Sequence, residues 1–160
     1  NIQKETSEID PGEIKAHKNL AILYFQEKKY DEALDELKKV LNLNQLDYVV
    51  YNDIGLCYKK KGDTKKAMEM YNKALELNPA YPLTYNNIGN IYLESGRYDD
   101  AMGYYKKAIN LDPNRATFHS NLGKAYKSKG MIKEAMEAFK KDLSLDPNNR
   151  DAMDGLSGVK

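Results

Sequence analysis

A block of sequence recurs along this chain every 34 residues. The stretch YNDIGLCYKKKGDTKKAMEMYNKALELNP begins at Tyr51, and YNNIGNIYLESGRYDDAMGYYKKAINLDP begins at Tyr85. The same frame finds a further copy from His119 and a more divergent one from His17. Self-similarity at one fixed period is the signature of a repeat array, in which each unit packs mainly on its neighbours. The 160 residues are therefore predicted to form a short stack of similar units.

Each copy is predicted to contain two helices. In the third copy, Tyr85, Ile88 and Tyr92 follow one another at helical steps, and a second apolar stripe resumes at Ala101. A glycine in three copies stands where the first helix should end in a left-handed turn, and a proline should stop the second helix. These residues are Gly62, Gly96 and Gly130, and Pro79, Pro113 and Pro147.

The recurring positions resemble the tetratricopeptide repeat, or TPR. Its pattern is aromatic-x-x-Leu/Ile-Gly-x-x-Tyr, then Ala-x-x-x-aromatic, then proline. The second copy matches it at Tyr51, Ile54, Gly55, Tyr58, Ala67, Tyr71 and Pro79. The third matches at Tyr85, Ile88, Gly89, Tyr92, Ala101, Tyr105 and Pro113, and the fourth at Leu122, Gly123, Tyr126, Ala135, Phe139 and Pro147. The resemblance, which extends from Ile14 to Asn149, implies an all-α fold: a right-handed superhelical α-solenoid of antiparallel helix pairs.

The repeat frame predicts TPR 1 at 14–47, TPR 2 at 48–81, TPR 3 at 82–115 and TPR 4 at 116–149. Residues 1–13 are expected to be a tail or the remnant of a preceding repeat, because Ile9-Asp10-Pro11 lies in phase with Leu77-Asn78-Pro79. Residues 150–160 restart the pattern with Met153 and Leu156 in apolar places, so we expect a capping or truncated helix. A chain that begins at Asn1 rather than methionine suggests a fragment or a trimmed protein.

Departures from the pattern are concentrated in the first copy. Ala21 replaces the helix glycine, Leu37 the aromatic residue, Lys28 the turn glycine and Gln45 the proline. Lys28 is therefore expected in the left-handed turn conformation. In the other copies, the glycine should let its helix approach the partner helix closely, with the aromatic ring filling the gap.

One polar residue of the fourth copy occupies a predicted core position. Asp142 stands where Val40, Ala74 and Ala108 stand in the other copies. An unpaired buried carboxylate is expensive, so we expect Asp142 to lie near a solvated end or to meet Arg150 or a lysine.

Charge and hydropathy exclude several classes of partner. The formal charge is +1, from 25 basic and 24 acidic residues, which gives no reason to expect nucleic acid or an anionic membrane. The longest apolar run is far shorter than a membrane span, so membrane insertion is not expected. The cytoplasm is only the default localisation.

Residues that could carry chemistry are few, and each has a structural interpretation. Cys57 permits no internal disulfide and replaces Ile91 and Ala125 at an apolar place. His17 and His119 occupy the repeat place of Tyr51 and Tyr85, and we interpret both as packing residues. The chain contains no phosphate-binding glycine loop, no His-x-x-x-His and no serine elbow. We therefore expect no enzyme activity, no catalytic residue, no metal site and no cofactor.

What remains is binding, and here the TPR resemblance identifies positions. In TPR proteins the first helices line a concave groove, which implies that this chain binds an extended peptide or a partner protein there. Two polar rows are Asn19, Asp53, Asn87 and Asn121, and Lys18, Asn52, Asn86 and Ser120. The other inward places are Lys15, Val49, Leu83 and Thr117; Ile22, Leu56, Asn90 and Lys124; and Phe25, Lys59, Leu93 and Lys127.

The asparagine row has two interpretations. It resembles the ladder with which TPR arrays such as those of O-GlcNAc transferases hold a peptide backbone, since a carboxamide offers both a donor and an acceptor. Asparagine is also the family's ordinary residue at that place, and this favours the interpretation of the row as solvated consensus. With lysines at its rims, the groove is expected to suit an extended segment with apolar anchors and some acidic character.

Two other roles remain open at this level. The open repeat ends, with Met153 and Leu156 near the C-terminus, could stack copies into a homo-oligomeric scaffold. The array could also be the non-catalytic arm of a larger enzyme. A clamp for the carboxylate terminus of heat-shock chaperones is unlike this chain, because neither register retains the basic pair that such clamps use.

Overall fold

A computed structural model describes residues 10–158, in which every regular element is an α-helix. The described helices divide between two units, one ending at Leu77 and the other beginning at Asn78. Unit 1 contains α1 (Pro11–Gln26), α2 (Tyr30–Leu43), α3 (Tyr48–Lys60) and α4 (Thr64–Leu77). Unit 2 contains α5 (Pro82–Glu94), α6 (Tyr98–Leu111), α7 (Ala116–Ser128), α8 (Ile132–Leu145) and α9 (Arg150–Ser157). The all-α class and the arrangement in helix pairs are confirmed.

The helix boundaries follow the glycine and proline positions in the sequence. The second helix of each later pair ends two residues before its proline, as α6 does at Leu111 before Pro113. The turn within each pair has a positive φ, of 86° at Gly62, 76° at Gly96 and 81° at Gly130. Lys28 adopts the same conformation with φ of 61°, which confirms its place in the repeat frame although a side chain makes that conformation costly.

A ring packed against a glycine holds the two helices together in three of the four pairs. A Cβ atom built on Gly55 would lie 2.6 Å from the Tyr71 ring, and one on Gly89 would lie 2.6 Å from the Tyr105 ring. At the fourth pair, a Cβ on Gly123 would lie 2.8 Å from the Phe139 ring. These distances are too short for real carbon atoms, so only glycine permits the observed approach. The predicted close packing is confirmed.

In unit 1, one apolar core connects the two helix pairs, because α2 packs against both α1 and α3. Its buried residues include Leu34, Leu37 and Val40 from α2 and Val50 and Ile54 from α3. The second helices thus bury one stripe against their own partner and the next first helix. This arrangement leaves the opposite side of α1 and α3 available to solvent or ligand.

Unit 2 closes with a short helix that packs on the last pair. In α9, Ala152 is fully buried and Leu156 packs beside Phe139. Met153, at the other apolar place of the restarted pattern, is 41% exposed. Gly155 also approaches the Phe139 ring, with a built Cβ only 2.5 Å from it.

The expectation for Asp142 was wrong. Its side chain is fully buried within unit 2, and its Oδ2 accepts a hydrogen bond of 2.9 Å from the Nδ2 of Asn149, not from a cation. The Oδ1 of Asn149 accepts from the backbone N–H of Asp151 and so caps the start of α9. Burial raises the pKa of the Asp142 carboxyl. One oxygen of the carboxylate is therefore bonded to the neutral amide that positions the last helix, and hydrogen bonding from Ser120 opposes the rise of its pKa.

The first helix begins three residues before the predicted first repeat at 14–47. Helix α1 starts at Pro11, and the side chain of Asp10 accepts a hydrogen bond of 2.8 Å from the backbone N–H of Gly12. The predicted tail or repeat remnant at 1–13 falls for the most part outside the described residues, as do Ile9 and every residue before it.

We predict that Gly89→Ala lowers the free energy of unfolding by about 1–3 kcal/mol, because its methyl group collides with the Tyr105 ring. The measurement is urea unfolding followed by circular dichroism, with the slope of the transition checked for change.

Gly103→Ala is the matched control. Gly103 lies within α6 and a Cβ there meets nothing within 4 Å, so alanine should raise stability by roughly 0.5–1 kcal/mol. Equal effects of the two substitutions would contradict the close-approach argument.

Candidate functional site

An apolar pocket opens in unit 1 between α1 and α3. It has a volume of about 330 Å³, near the lower end of the range for ligand sites. Six of the groove positions named from the sequence line it, among them Lys18, Asp53 and Leu56. The remaining lining residues are Ala21, Ile22, Phe25, Gln26, Leu37, Val49 and Cys57. We call this cavity the unit 1 pocket.

The pocket coincides with the departures of the first repeat from the pattern. In the other pairs a tyrosine or phenylalanine ring fills the space beside the helix glycine, whereas here Leu37 and Ala21 stand at those two places. Both residues line the cavity. A leucine side chain is shorter than an aromatic ring, and it leaves the volume unfilled. Both departures are visible in the sequence, but the cavity that they leave is not.

A carboxylate and an ammonium group lie among these apolar walls. Burial raises the pKa of Asp53 to about 6, against the opposing hydrogen bond from Asn52 and the charge of Lys18. The Nδ2 of Asn52 donates to Asp53 Oδ1 over 3.3 Å. The Nζ of Lys18 lies 2.6 Å from Asp47 Oδ2, so this lysine already forms an ion pair.

The thiol in the pocket has no nucleophilic character. Burial, with a smaller contribution from the charge of Asp53, raises the pKa of Cys57 to about 12. A thiol that stays protonated is a poor nucleophile and a poor metal ligand. Its interpretation as a small buried hydrophobe is confirmed, since it is almost completely buried in the core of unit 1.

The other predicted binding residues of unit 1 differ in accessibility. Asn19 is exposed, whereas Asn52 is buried and hydrogen-bonded to Asp53. Of the predicted binding residues, Asp53 and Lys18 are therefore the polar ones that reach the unit 1 pocket.

In unit 2 several amides of the predicted ladder bond within the protein. The Nδ2 of Asn121 donates to Asn86 Oδ1 over 2.8 Å, and Asn86 is buried. The hydroxyl of Tyr105 donates to Asn90 Oδ1 over 2.7 Å. One bond joins two first helices and the other joins a first helix to a second helix. These side-chain amides therefore stabilise the packing of unit 2.

The remaining predicted positions of unit 2 are half-buried or exposed. Asn87 and Leu83 on α5 are half-buried, and Lys127 near the end of α7 is exposed. Lys124 is half-buried, and its Nζ forms an ion pair of 2.7 Å with Asp151 of α9. None of the expected positions of this unit lines the unit 1 pocket.

The two histidines serve the helix pairs. His119 is buried, and its Nε2 lies 2.8 Å from the backbone oxygen of Pro113, as suits a packing residue. His17 does more than pack, since its Nδ1 lies 2.5 Å from Glu36 Oε2 and joins α1 to α2. Across residues 10–158, histidine, cysteine and acidic side chains form no group able to hold a metal ion. Within the same residues, no helix is both long enough and apolar enough to cross a bilayer.

Stacked pairs of nearly equal helices, joined by left-handed turns and packed ring against glycine, define a helical repeat protein. Matches to family sequence profiles agree with this class and identify the kind of repeat. Residues 14–47 and 116–149 match the profile described as tetratricopeptide repeat, and 55–96 and 89–130 match another described as TPR repeat. The chain belongs to the tetratricopeptide repeat family. Repeats of this family are generally a non-catalytic interaction fold, which makes the chain a protein-interaction module.

Solved structures agree on the fold. The structure from the functional characterisation of Pseudomonas aeruginosa PilF is 24% identical, with 92% of this chain and 68% of that one covered at a TM-score of 0.84. MamA is 27% identical over 86% of this chain and 75% of its own, with a TM-score of 0.69. The first TPR domain of Spaghetti (RPAP3), bound to the HSP90 peptide SRMEEVD, is 24% identical over 70% and 89%, with a TM-score of 0.67. A comparison with curated protein sequences gives no significant match.

We predict that Asp53→Asn raises the free energy of unfolding at neutral pH by about 1–3 kcal/mol. The folded carboxyl has a pKa near 6 and the unfolded one a value near 3.8, so the folded state binds the proton more tightly. The wild-type protein therefore loses stability as the pH rises from about 4 to about 6, and asparagine has no charge to bury.

The advantage of the variant should be largest above about pH 6 and should vanish near pH 4. Denaturant unfolding of both proteins across this range measures it. A gain that is independent of pH would show that charge burial is not its cause.

Proposed function

We propose that the chain is a non-enzymatic interaction module. It binds an extended segment of a partner protein on the first-helix face, the surface formed by the first helix of each pair, and the unit 1 pocket is the main anchor site. The observation that carries this proposal is the pocket itself. It is apolar, large enough for a bulky side chain, and lined by positions from the inward rows of the repeat. The RPAP3 domain bound to a peptide supports the use of this fold for peptide recognition.

Each unit has its own proposed binding positions. In unit 1 they are Lys18, Asn19, Asn52, Asp53 and Leu56. In unit 2 they are Leu83, Asn86, Asn87, Asn90, Asn121, Lys124 and Lys127. Because several of these amides already bond internally, apolar contacts in the pocket should dominate the affinity and the amides should mainly orient the segment.

The first test is a selection of random peptides on the immobilised protein, followed by affinity measurements on the enriched sequences. Ile22 lines the pocket and is 54% exposed, so Ile22→Ser should leave the fold intact and weaken the enriched peptides by at least about fivefold. Fluorescence anisotropy with labelled peptides gives the dissociation constants.

Leu46→Ser is the matched control, because Leu46 is also an exposed apolar residue of unit 1 and lies outside the pocket. It should bind the enriched peptides as the wild type does. The proposal fails if no peptide is enriched, or if the Ile22 variant binds as tightly as the control.

Self-assembly is the second candidate, and a specific observation favours it. Leu20 and Leu23 on α1 are 41% and 55% exposed, whereas Ile54 and Cys57, at the same repeat places on α3, are 2% and 1% exposed. Helix α2 covers those places on α3, and the equivalent side of α1 is open to a helix from another copy of the chain. Light scattering over a range of concentrations tests this. A mass that rises with concentration, and no longer does so in Leu20→Ser/Leu23→Ser, supports a scaffold, and a constant monomer mass rejects it.

A further inference from the structure

The acidic member of the asparagine row lies inside the apolar pocket. At this repeat place the chain carries Asn19, Asn87 and Asn121, all neutral amides, and Asp53 alone carries a charge. Asp53 lines the unit 1 pocket together with Ile22, Phe25 and Leu56. A carboxylate at this depth is disfavoured unless something compensates its charge.

The protein itself compensates that charge only weakly. The cation that faces Asp53 is Lys18, and its ammonium group lies 2.6 Å from Asp47 and so already serves another carboxylate. The hydrogen bond that Asp53 accepts comes from Asn52, a neutral amide, over a long distance of 3.3 Å. Charge-assisted hydrogen bonds are shorter and roughly twice as strong as neutral ones. A cation from outside would therefore gain more at Asp53 than an anion or a neutral group.

The apolar walls determine what kind of cation fits. A small hydrated ion would leave those walls exposed and would lose its own water shell. Arginine and lysine instead have an aliphatic stem that packs on apolar surface while the charged head reaches a polar partner. A guanidinium group also matches the two oxygens of a carboxylate. The cavity of about 330 Å³ has room for such a side chain and part of a neighbouring residue.

We propose that the unit 1 pocket receives a basic side chain, flanked by apolar residues, from the bound protein segment, with its stem along Ile22, Phe25 and Leu56 and its charged head on Asp53. This inference rests on the proposed function and specifies the chemistry of the partner. It also replaces the expectation, drawn from the lysines at the rims, that the partner has acidic character.

The pocket then senses pH. The charged and titratable groups that face Asp53 are Lys18 from α1, Asp47 at the start of α3 and Cys57 within α3. Helix α2 contributes only apolar Leu37 to the pocket. A proton on Asp53 competes with the incoming cation. Because the pKa of Asp53 is about 6, binding of a basic side chain should be about tenfold weaker at pH 5 than at pH 7.5.

The test uses synthetic peptides acetyl-Gly-Ser-Leu-Xaa-Leu-Ser-Gly-amide, in which Xaa is arginine, citrulline or glutamate. Citrulline keeps the length and planarity of arginine without its charge. Calorimetry at about pH 7.5 should show the arginine peptide binding at least about fivefold tighter than the citrulline peptide, with the glutamate peptide weakest. At about pH 5 this preference should largely disappear.

Two variants assign the preference to the carboxylate. Asp53→Asn should bind the arginine and citrulline peptides equally at both pH values. Asp35→Asn changes the net charge by the same amount at an exposed position of α2 and should retain the preference. Urea unfolding of each variant verifies that it is folded.

The inference is overturned if wild type binds the arginine and citrulline peptides equally, if the preference survives Asp53→Asn, or if no binding of the arginine peptide is found. If wild type binds the arginine and citrulline peptides equally and Ile22→Ser weakens both, the pocket is an apolar anchor site. In that case only the inference of a basic side chain is rejected. The random-peptide selection tests the proposed function by itself, so the two failures are distinguishable.

Discussion

The contact between a glycine on one helix and an aromatic ring on the next is the constraint on which the rest of this structure depends. At Gly55, Gly89 and Gly123 the partner ring sits where a side chain would otherwise be. Each pair is therefore closed at one fixed spacing, and interiors packed at this density tolerate little change in volume.

The unit 1 pocket exists where this contact is replaced. Ala21 and Leu37 still bury apolar surface, but a leucine does not fill the volume of a ring, and the space opens toward the first-helix face. The repeat that departs most from the pattern thus contains this cavity. In a repeat protein, residues that follow the pattern build the scaffold, and departures from it are where specific recognition can arise.

The polar residues also divide into those that stabilise the scaffold and those that are available for recognition. Asn86 and Asn121 are hydrogen-bonded to each other and Asn90 to Tyr105, so these amides take part in the packing of unit 2. Asp53 has one long hydrogen bond to a neutral amide, and burial shifts its pKa to about 6. Asp142, equally out of pattern, is instead hydrogen-bonded by Asn149 and helps to seat α9. The surroundings, more than the residue type, decide which carboxylate can meet a ligand.

The sequence by itself determined the class of fold, the helix pairs, the left-handed turn at Lys28 and the ring-on-glycine packing. These features are local or recur at a fixed period, so hydrophobic spacing, glycine and proline encode them directly. Tertiary structure alone decided that Leu37 leaves a pocket, that Asn86 and Asn121 bond to each other, and that Asp142 is paired with Asn149 while Met153 is exposed. Those outcomes depend on which side chains from different helices share one volume, and the repeat pattern specifies positions but not the space left between them.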